Sequence, residues 1–273
     1  MRKLYSSLII ITCFFQFSCE EVIPLDLNSA EPKLVIEAAL TWKKGSLGNA
    51  QKIKLSTTTD FYSSTPINVK GAIVIVQNSA NQNFNFVEVP NTGEYKCADF
   101  VPVIGETYRL SIRYNGNTYS AQEVMQPVAE ISKVEQNNNG GFGGNNIELK
   151  AHYIDPSVAK NYYLYRYTYS TQVTSNFYTD EDVFFNGNEF FSISQNDKIK
   201  SGDKVEINHY GISRTYFNYM SVLVSIAGNS GGGPFQSPPA TVKGNIINTT
   251  KAENFPLGYF SLCEYDSVNY IVK

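Results

Sequence analysis

The chain has 273 residues, of which 42% are apolar, 14% aromatic and only 17% charged. That is enough apolar material for a packed core, and for two domains. The formal charge of −3 comes without a basic stripe, which argues against nucleic-acid binding. Stretches rich in Tyr, Thr, Ser and Asn with few helix formers predict a mainly β chain.

The first element is an export signal over residues 1–18. Arg2 and Lys3 precede an apolar run from Leu4 to Phe17, and the small residue Ser18 closes it. The run is too short for a bilayer core, which needs about twenty residues, and suits a signal segment of about seven to fifteen. Cys19 follows at once and reads as the acyl-carrying first residue of a lipoprotein. Gln16 and Phe17 depart from the usual lipobox, so a plain secretory signal with an incidental cysteine stays open. Cys13 is a poorer attachment point, with few apolar residues before it. Several acyl chains on Cys19 would give the stable anchoring that one chain cannot. Glu20 and Glu21 resemble the acidic tag that sends lipoproteins to the cell surface in Bacteroidota; the plainer reading is a charged tether, residues 19–32. Losing Arg2 and Lys3 takes the 22 bases to 20 against 25 acids, a mature charge of about −5.

Residues 33–128 read as an Ig-like β-sandwich. Strand signals recur at Leu34–Leu40, Lys52–Ser56, Ala72–Gln77, Phe84–Val89, Glu94–Ala98, Thr107–Tyr114 and Asn117–Gln122. Asn115-Gly116 suits a type I′ turn, whose two central residues need positive φ. A two-residue loop then pairs Leu110 with Ala121, Ser111 with Ser120, Ile112 with Tyr119 and Arg113 with Thr118, so that apolar meets apolar and polar meets polar.

Pro127 and a strand over Ile131–Glu135 mark a boundary, and residues 129–273 read as a β-rich domain. Asn137–Asn146 is a Gly- and Asn-rich loop carrying Phe142. Strands are expected at Ile147–Tyr153, Tyr162–Val173, Phe184–Phe185, Phe190–Ile193 and Val205–Tyr210. From 213 to 227 the period changes to that of a helix, with Tyr216, Tyr219, Met220, Leu223 and Ile226 on one stripe. Ser213 caps its start and Gly228 its end. A Gly- and Pro-rich loop, Gly228–Pro239, carries Phe235, and strands at Thr241–Ile247 and Tyr259–Glu264 close the chain.

Candidate chemistry is sparse. Gly228-Asn229-Ser230-Gly231-Gly232 looks like a serine-protease nucleophile motif, but Asn229 stands where that motif wants Asp. His152 and His209, the only histidines, lack the surroundings of a catalytic base. Two histidines and no Cys-x-x-Cys make a transition-metal site improbable. Asp180-Glu181-Asp182 lacks the alternating ligands of a calcium loop and reads as a solvated turn. No phosphate-cradling Gly loop is present, so no cofactor is expected. Paired carboxylates for glycoside cleavage stay open, with nothing to single out a pair. Tyr163, Tyr165, Tyr167 and Tyr169 alternate along one strand. An exposed row could stack on a sugar or peptide ligand; the alternative is a core face with hydroxyls at the rim. Phe142 and Phe235, apolar tips on polar loops, are candidate partner contacts. Cys97 and Cys263 could pair in an oxidising envelope or stay as two small buried thiols. Asp266-Ser267-Val268 resembles a short O-glycosylation motif.

Short motifs add up along the chain: Cys19-Glu20-Glu21, Leu34-Val35-Ile36-Glu37, Val69-Lys70-Gly71-Ala72, Gly93-Glu94-Tyr95, Gly105-Glu106-Thr107-Tyr108, Tyr162-Tyr163, Gly233-Pro234-Phe235, Gly244-Asn245-Ile246 and Leu257-Gly258-Tyr259-Phe260. In this order they resemble the Bacteroidota lipoproteins known as domain of unknown function 4249. Gly233 departs from the Asn that the family often carries before Pro-Phe. The resemblance implies an accessory to a TonB-dependent transporter at the outer membrane, and it brings no catalytic residue.

The reading is therefore a non-catalytic, lipid-anchored protein of the outer membrane, facing the cell surface. Its expected partners are the membrane, a transporter barrel, and an unidentified small-molecule or glycan ligand. The alternatives are a structural or adhesive protein that binds glycans, and a hydrolase with an unrecognised site.

Overall fold

The computed structural model describes residues 31–59, 65–228 and 242–273, and residues 32–273 form one compact unit. The chain is mainly β, with sandwich-like packing of its sheets.

In chain order the first eight strands are β1 (Leu34–Lys43), β2 (Gln51–Thr57), β3 (Ile67–Asn68), β4 (Ile73–Asn78), β5 (Asn83–Glu88), β6 (Glu94–Cys97), β7 (Thr107–Tyr114) and β8 (Asn117–Val124). They build the sandwich by alternation. Leu34, Ile36, Ala38 and Leu40 of β1 point inward, as do Val74 and Val76 of β4 and Leu110 and Ile112 of β7. The residues between them stay exposed or half-buried, the pattern of a sheet with one covered face. The β7–β8 hairpin has the register that its turn dictates, from Thr107 opposite Val124 to Tyr114 opposite Asn117. Asn115 and Gly116 adopt φ of 46° and 73°.

Next come β9 (Lys133–Gly140), β10 (Asn146–Ile154), β11 (Tyr162–Tyr169), β12 (Asn176–Glu181), a 3₁₀ turn (Asp182–Phe184), β13 (Glu189–Asn196) and β14 (Lys204–Ile212). Helix α1 (Arg214–Gly228), the short β15 (Ile247–Asn248) and the 15-residue β16 (Leu257–Ile271) complete the fold. A small sheet, β13-β10-β9, packs over the tyrosine face of β11 and encloses a second core.

The last strand joins the two cores. β16 runs parallel to β1 from Val35–Leu257 to Lys43–Tyr265, then antiparallel to β14 from Tyr210–Tyr265 to Lys204–Ile271. Phe260 and Leu262 enter the first core, while Val268 and Tyr270 pack against the second. Near residue 128 the chain passes from one core to the other, held by three contacts to β16. Gln126 N–H donates to the Leu262 carbonyl at 3.2 Å, Glu264 N–H donates to the Gln126 carbonyl at 2.8 Å, and Val128 N–H donates to Glu264 Oε2 at 3.0 Å.

Four sequence expectations change. Phe184–Phe185 belongs to the 3₁₀ turn and its close rather than to a strand, because Asp182 accepts the Phe185 N–H. β12 was not expected, since Asn176–Glu181 carries no apolar alternation and pairs along its backbone. The expected loop at Asn137–Asn146 is strand up to Gly140, with Asn137 opposite Glu148; ladder bonds are backbone bonds and polar side chains do not forbid them. Of the strand expected at Thr241–Ile247, only Ile247 pairs among the described residues, against β8 together with Asn248 just beyond it.

Candidate functional site

Helix α1 starts where Ser213 Oγ accepts the Tyr216 N–H at 3.2 Å, an N-cap. The same hydroxyl donates to Glu123 Oε2 at 2.9 Å, so a carboxylate from β8 holds the positive end of the helix. Burial raises the Glu123 carboxyl above its usual range. Tyr216, Phe217 and Met220 seat the helix on Leu164, Tyr210, Ile212 and Cys263.

The adjacent stripe of α1, Thr215, Asn218, Tyr219 and Val222, forms one wall of an open cleft of about 530 Å³. Residues Val242–Asn245 form the facing wall, and Tyr259 lies between them. The volume is that of a small-molecule site. The facing wall is fixed to β16. Asn245 Nδ2 donates to the Phe260 carbonyl at 2.8 Å, and Asn245 Oδ1 accepts the Phe260 N–H at 2.9 Å. Gly244 has no room for a Cβ, which would sit 1.7 Å from the Gly258 carbonyl oxygen. Tyr216 and Tyr219 flank the Tyr259 ring at 4.7 and 4.8 Å between centroids. Burial pushes the Tyr259 hydroxyl up to about 12 and raises that of Tyr219, so both remain neutral donors. The described residues lining the cleft include no carboxylate, histidine or thiol.

Lys243, which lines the cleft, places its Nζ 4.4 Å from the centroid of the Phe255 ring, and Lys33 Nζ lies 3.5 Å from the same centroid.

The tyrosine row is core. Tyr163, Tyr165, Tyr167 and Tyr169 are at most 2% exposed. Their hydroxyls are used internally: Tyr163 donates to Asp155, while Tyr165 bonds Tyr153 at 2.7 Å, Tyr167 bonds Ser192 at 2.7 Å and Tyr169 bonds Ser194 at 2.5 Å. The ligand-stacking reading of this row is corrected: β9, β10 and β13 cover it.

Phe142 stands fully exposed in the turn between β9 and β10. Phe235, Cys19, Glu20, Glu21 and the Asn229–Gly232 stretch lie outside the described residues.

The disulfide is also corrected. Cys97 and Cys263 are both free and buried. Cys97 points into the sandwich core, whereas Cys263 points to the opposite side of the sheet, beneath α1. Burial pushes their thiols up to about 11 and about 12.

The histidines are enclosed. His152 sits between Glu189 at 3.0 Å and Glu135 at 3.1 Å. His209 is buried among the rings of Tyr153, Tyr163 and Tyr165, and burial pushes it down to about 3. Asp180-Glu181-Asp182 is not a solvated turn: Asp182 is buried and accepts the Asn161 N–H at 2.7 Å. Ser267 of the glycosylation-like motif lies half-buried within β16, opposite Asn208. Among the described residues, no three His, Cys, Asp or Glu side chains are placed to hold a metal ion.

Of the stripe expected on α1, Tyr216 and Met220 seat the helix while Tyr219 lines the cleft, which the sequence reading missed. Thr215, Asn218, Tyr219 and Val222 do share helical spacing, yet nothing local brings Val242–Asn245 opposite them.

No relative matches among curated proteins. Among solved structures the chain is similar to a two-domain fibronectin type III segment of chicken tenascin, at 13% identity and a TM-score of 0.22, covering 66% of this chain and 90% of that one. It is also similar to a DUF4785 family protein of Legionella pneumophila, at 9% identity and a TM-score of 0.28, covering 65% and 52%. The FN1–FN3 domains of chicken CNTN1 match at 12% identity and a TM-score of 0.25, covering 67% and 62%. A family described as a domain of unknown function, DUF4249, matches residues 20–268. That match spans the sandwich, the second core and the cleft, and the chain belongs to the DUF4249 family.

Proposed function

We propose that this chain is a non-catalytic ligand-binding protein, anchored by acyl chains on Cys19 to the outer membrane and facing the cell surface. The observation that carries the binding role is the cleft between α1 and Val242–Asn245. It is open, mostly apolar and walled by tyrosines, with neutral hydroxyl and amide groups along it and no nucleophile–base pair among its described lining residues. Its walls are fixed by the Glu123–Ser213 and Asn245–Phe260 hydrogen bonds, which suits a site that binds without rearrangement. The anchor rests on the apolar run, Ser18 and Cys19; Glu20 and Glu21 support the outward-facing placement.

In this reading the protein serves a TonB-dependent transporter, capturing a nutrient or gating its entry. Phe142, an exposed aromatic side chain on a hairpin tip, supplies a contact for such a partner. The test is extraction of the native membrane in mild detergent followed by affinity purification of the chain. A β-barrel transporter is expected to co-purify, and Phe142→Ser is expected to weaken its recovery. Consistent recovery of the chain without any barrel would remove the transporter role. Mass spectrometry of the same sample checks the anchor through the acyl mass on residue 19.

A further inference from the structure

The cleft has a charged mouth on an acidic chain. Lys243 lines the cleft, and the Phe255 ring gathers both its ammonium group and that of Lys33. Neither ammonium lies within ion-pair distance of a carboxylate among the described residues. The aromatic face offsets part of their mutual repulsion, but two like charges on one ring remain short of a counter-charge among the described residues. Glu31, two residues from Lys33, makes no ion pair with it, and Glu37, which lies opposite Tyr259, is 4.0 Å from Lys54. Glu37 acts on Tyr219, whose hydroxyl it raises after burial, on the helix wall rather than the lysine wall. An apolar body with a positive rim on one side describes the complement of an amphipathic anion.

We propose that the cleft takes a small organic anion with an aromatic or apolar body. The body lies against Tyr219, Val222, Val242 and Tyr259, and the carboxylate points to Lys243 and Lys33. This rests on the reading of the cleft as the binding site and adds the ligand's charge and shape.

The test uses the full chain and two probes of one shape, 2-naphthoate and the uncharged 2-naphthamide, measured by titration calorimetry and saturation-transfer NMR. The naphthoate is expected to bind roughly tenfold more tightly at low salt, with the gap closing as ionic strength rises. Lys243→Met is expected to cost naphthoate roughly fivefold and leave naphthamide unchanged. Lys33→Met should act in the same direction, and it replaces the first variant should that one fail to fold. Val222→Asp should weaken both probes. Equal affinity for the two probes, or no loss in either lysine variant, overturns the anion assignment and leaves the cleft standing as a site. A folded chain that binds neither probe overturns both.

Discussion

Asp180 carries the clearest pH signature at the scale of a single residue. Burial alone pushes its carboxyl up to about 6, against a usual value of 3.8. A carboxyl raised in the folded state contributes stability that is fully present below pH 3.8 and is lost as pH rises through about 6. Asp180→Asn is therefore expected to leave stability near that of the parent at pH 3.5. At pH 7.5 it should stabilise the chain by about 1 kcal/mol, once partial solvent screening is allowed for. Thermal unfolding of both chains across that range checks the sign, and a constant difference would refute it. The tyrosine row gives a second residue-scale outcome. Tyr167→Phe leaves the buried Ser192 hydroxyl without its partner, at a cost of about 1–2 kcal/mol. Adding Ser192→Ala should recover part of that loss, as a double-mutant cycle in urea would show. That row was visible in the sequence as a period of two, but its burial was not: period shows that four side chains share a face, and only the tertiary fold supplies the sheet that covers it. Cys97 and Cys263 show the same limit, because their opposite sides of the sheet depend on strand pairings that no local signal encodes.

Local chemistry dictates the elements more fully. The Asn115-Gly116 hairpin was readable to the residue because turn type and alternation both fix its register. Helix α1 was readable from its period and its cap. Ser213→Ala should cost about 1 kcal/mol through the cap itself. It also strips Glu123 of its best-placed donor, so the total is expected to exceed that of an ordinary cap loss; thermal unfolding beside Glu123→Gln separates the two parts. β12 and the extension of β9 escaped the sequence reading because their pairing is carried by backbone groups. The cleft escaped it because one wall comes from α1 and the other from residues that Asn245 pins to β16.

At the scale of the whole molecule, Gly211 marks where the chain crosses between cores. A Cβ there would lie 1.7 Å from the Pro127 carbonyl oxygen, which is backbone and has little room to move. Gly211→Ala is expected to destabilise by about 3 kcal/mol. β16 serves both cores, so damage on one side should be felt on the other. Phe260→Ala, in the sandwich core, should cost about 3–5 kcal/mol. It should also shift the near-ultraviolet signal of the second core's tyrosines in step with the far-ultraviolet signal. Two separated transitions would show that the cores melt independently.

The parallel pairing of β1 with β16 has a consequence for how the polypeptide is made. Roughly 220 residues separate Val35 from its neighbour Leu257, a long-range closure of the kind that slows acquisition of native structure. A ribosome delivers β1 roughly 220 residues before its flanking strand, so the sandwich waits, one edge open, until β16 has been made. A nascent chain built this way stays pliable through that interval, and the residues of β16 act as the fastener that ends it.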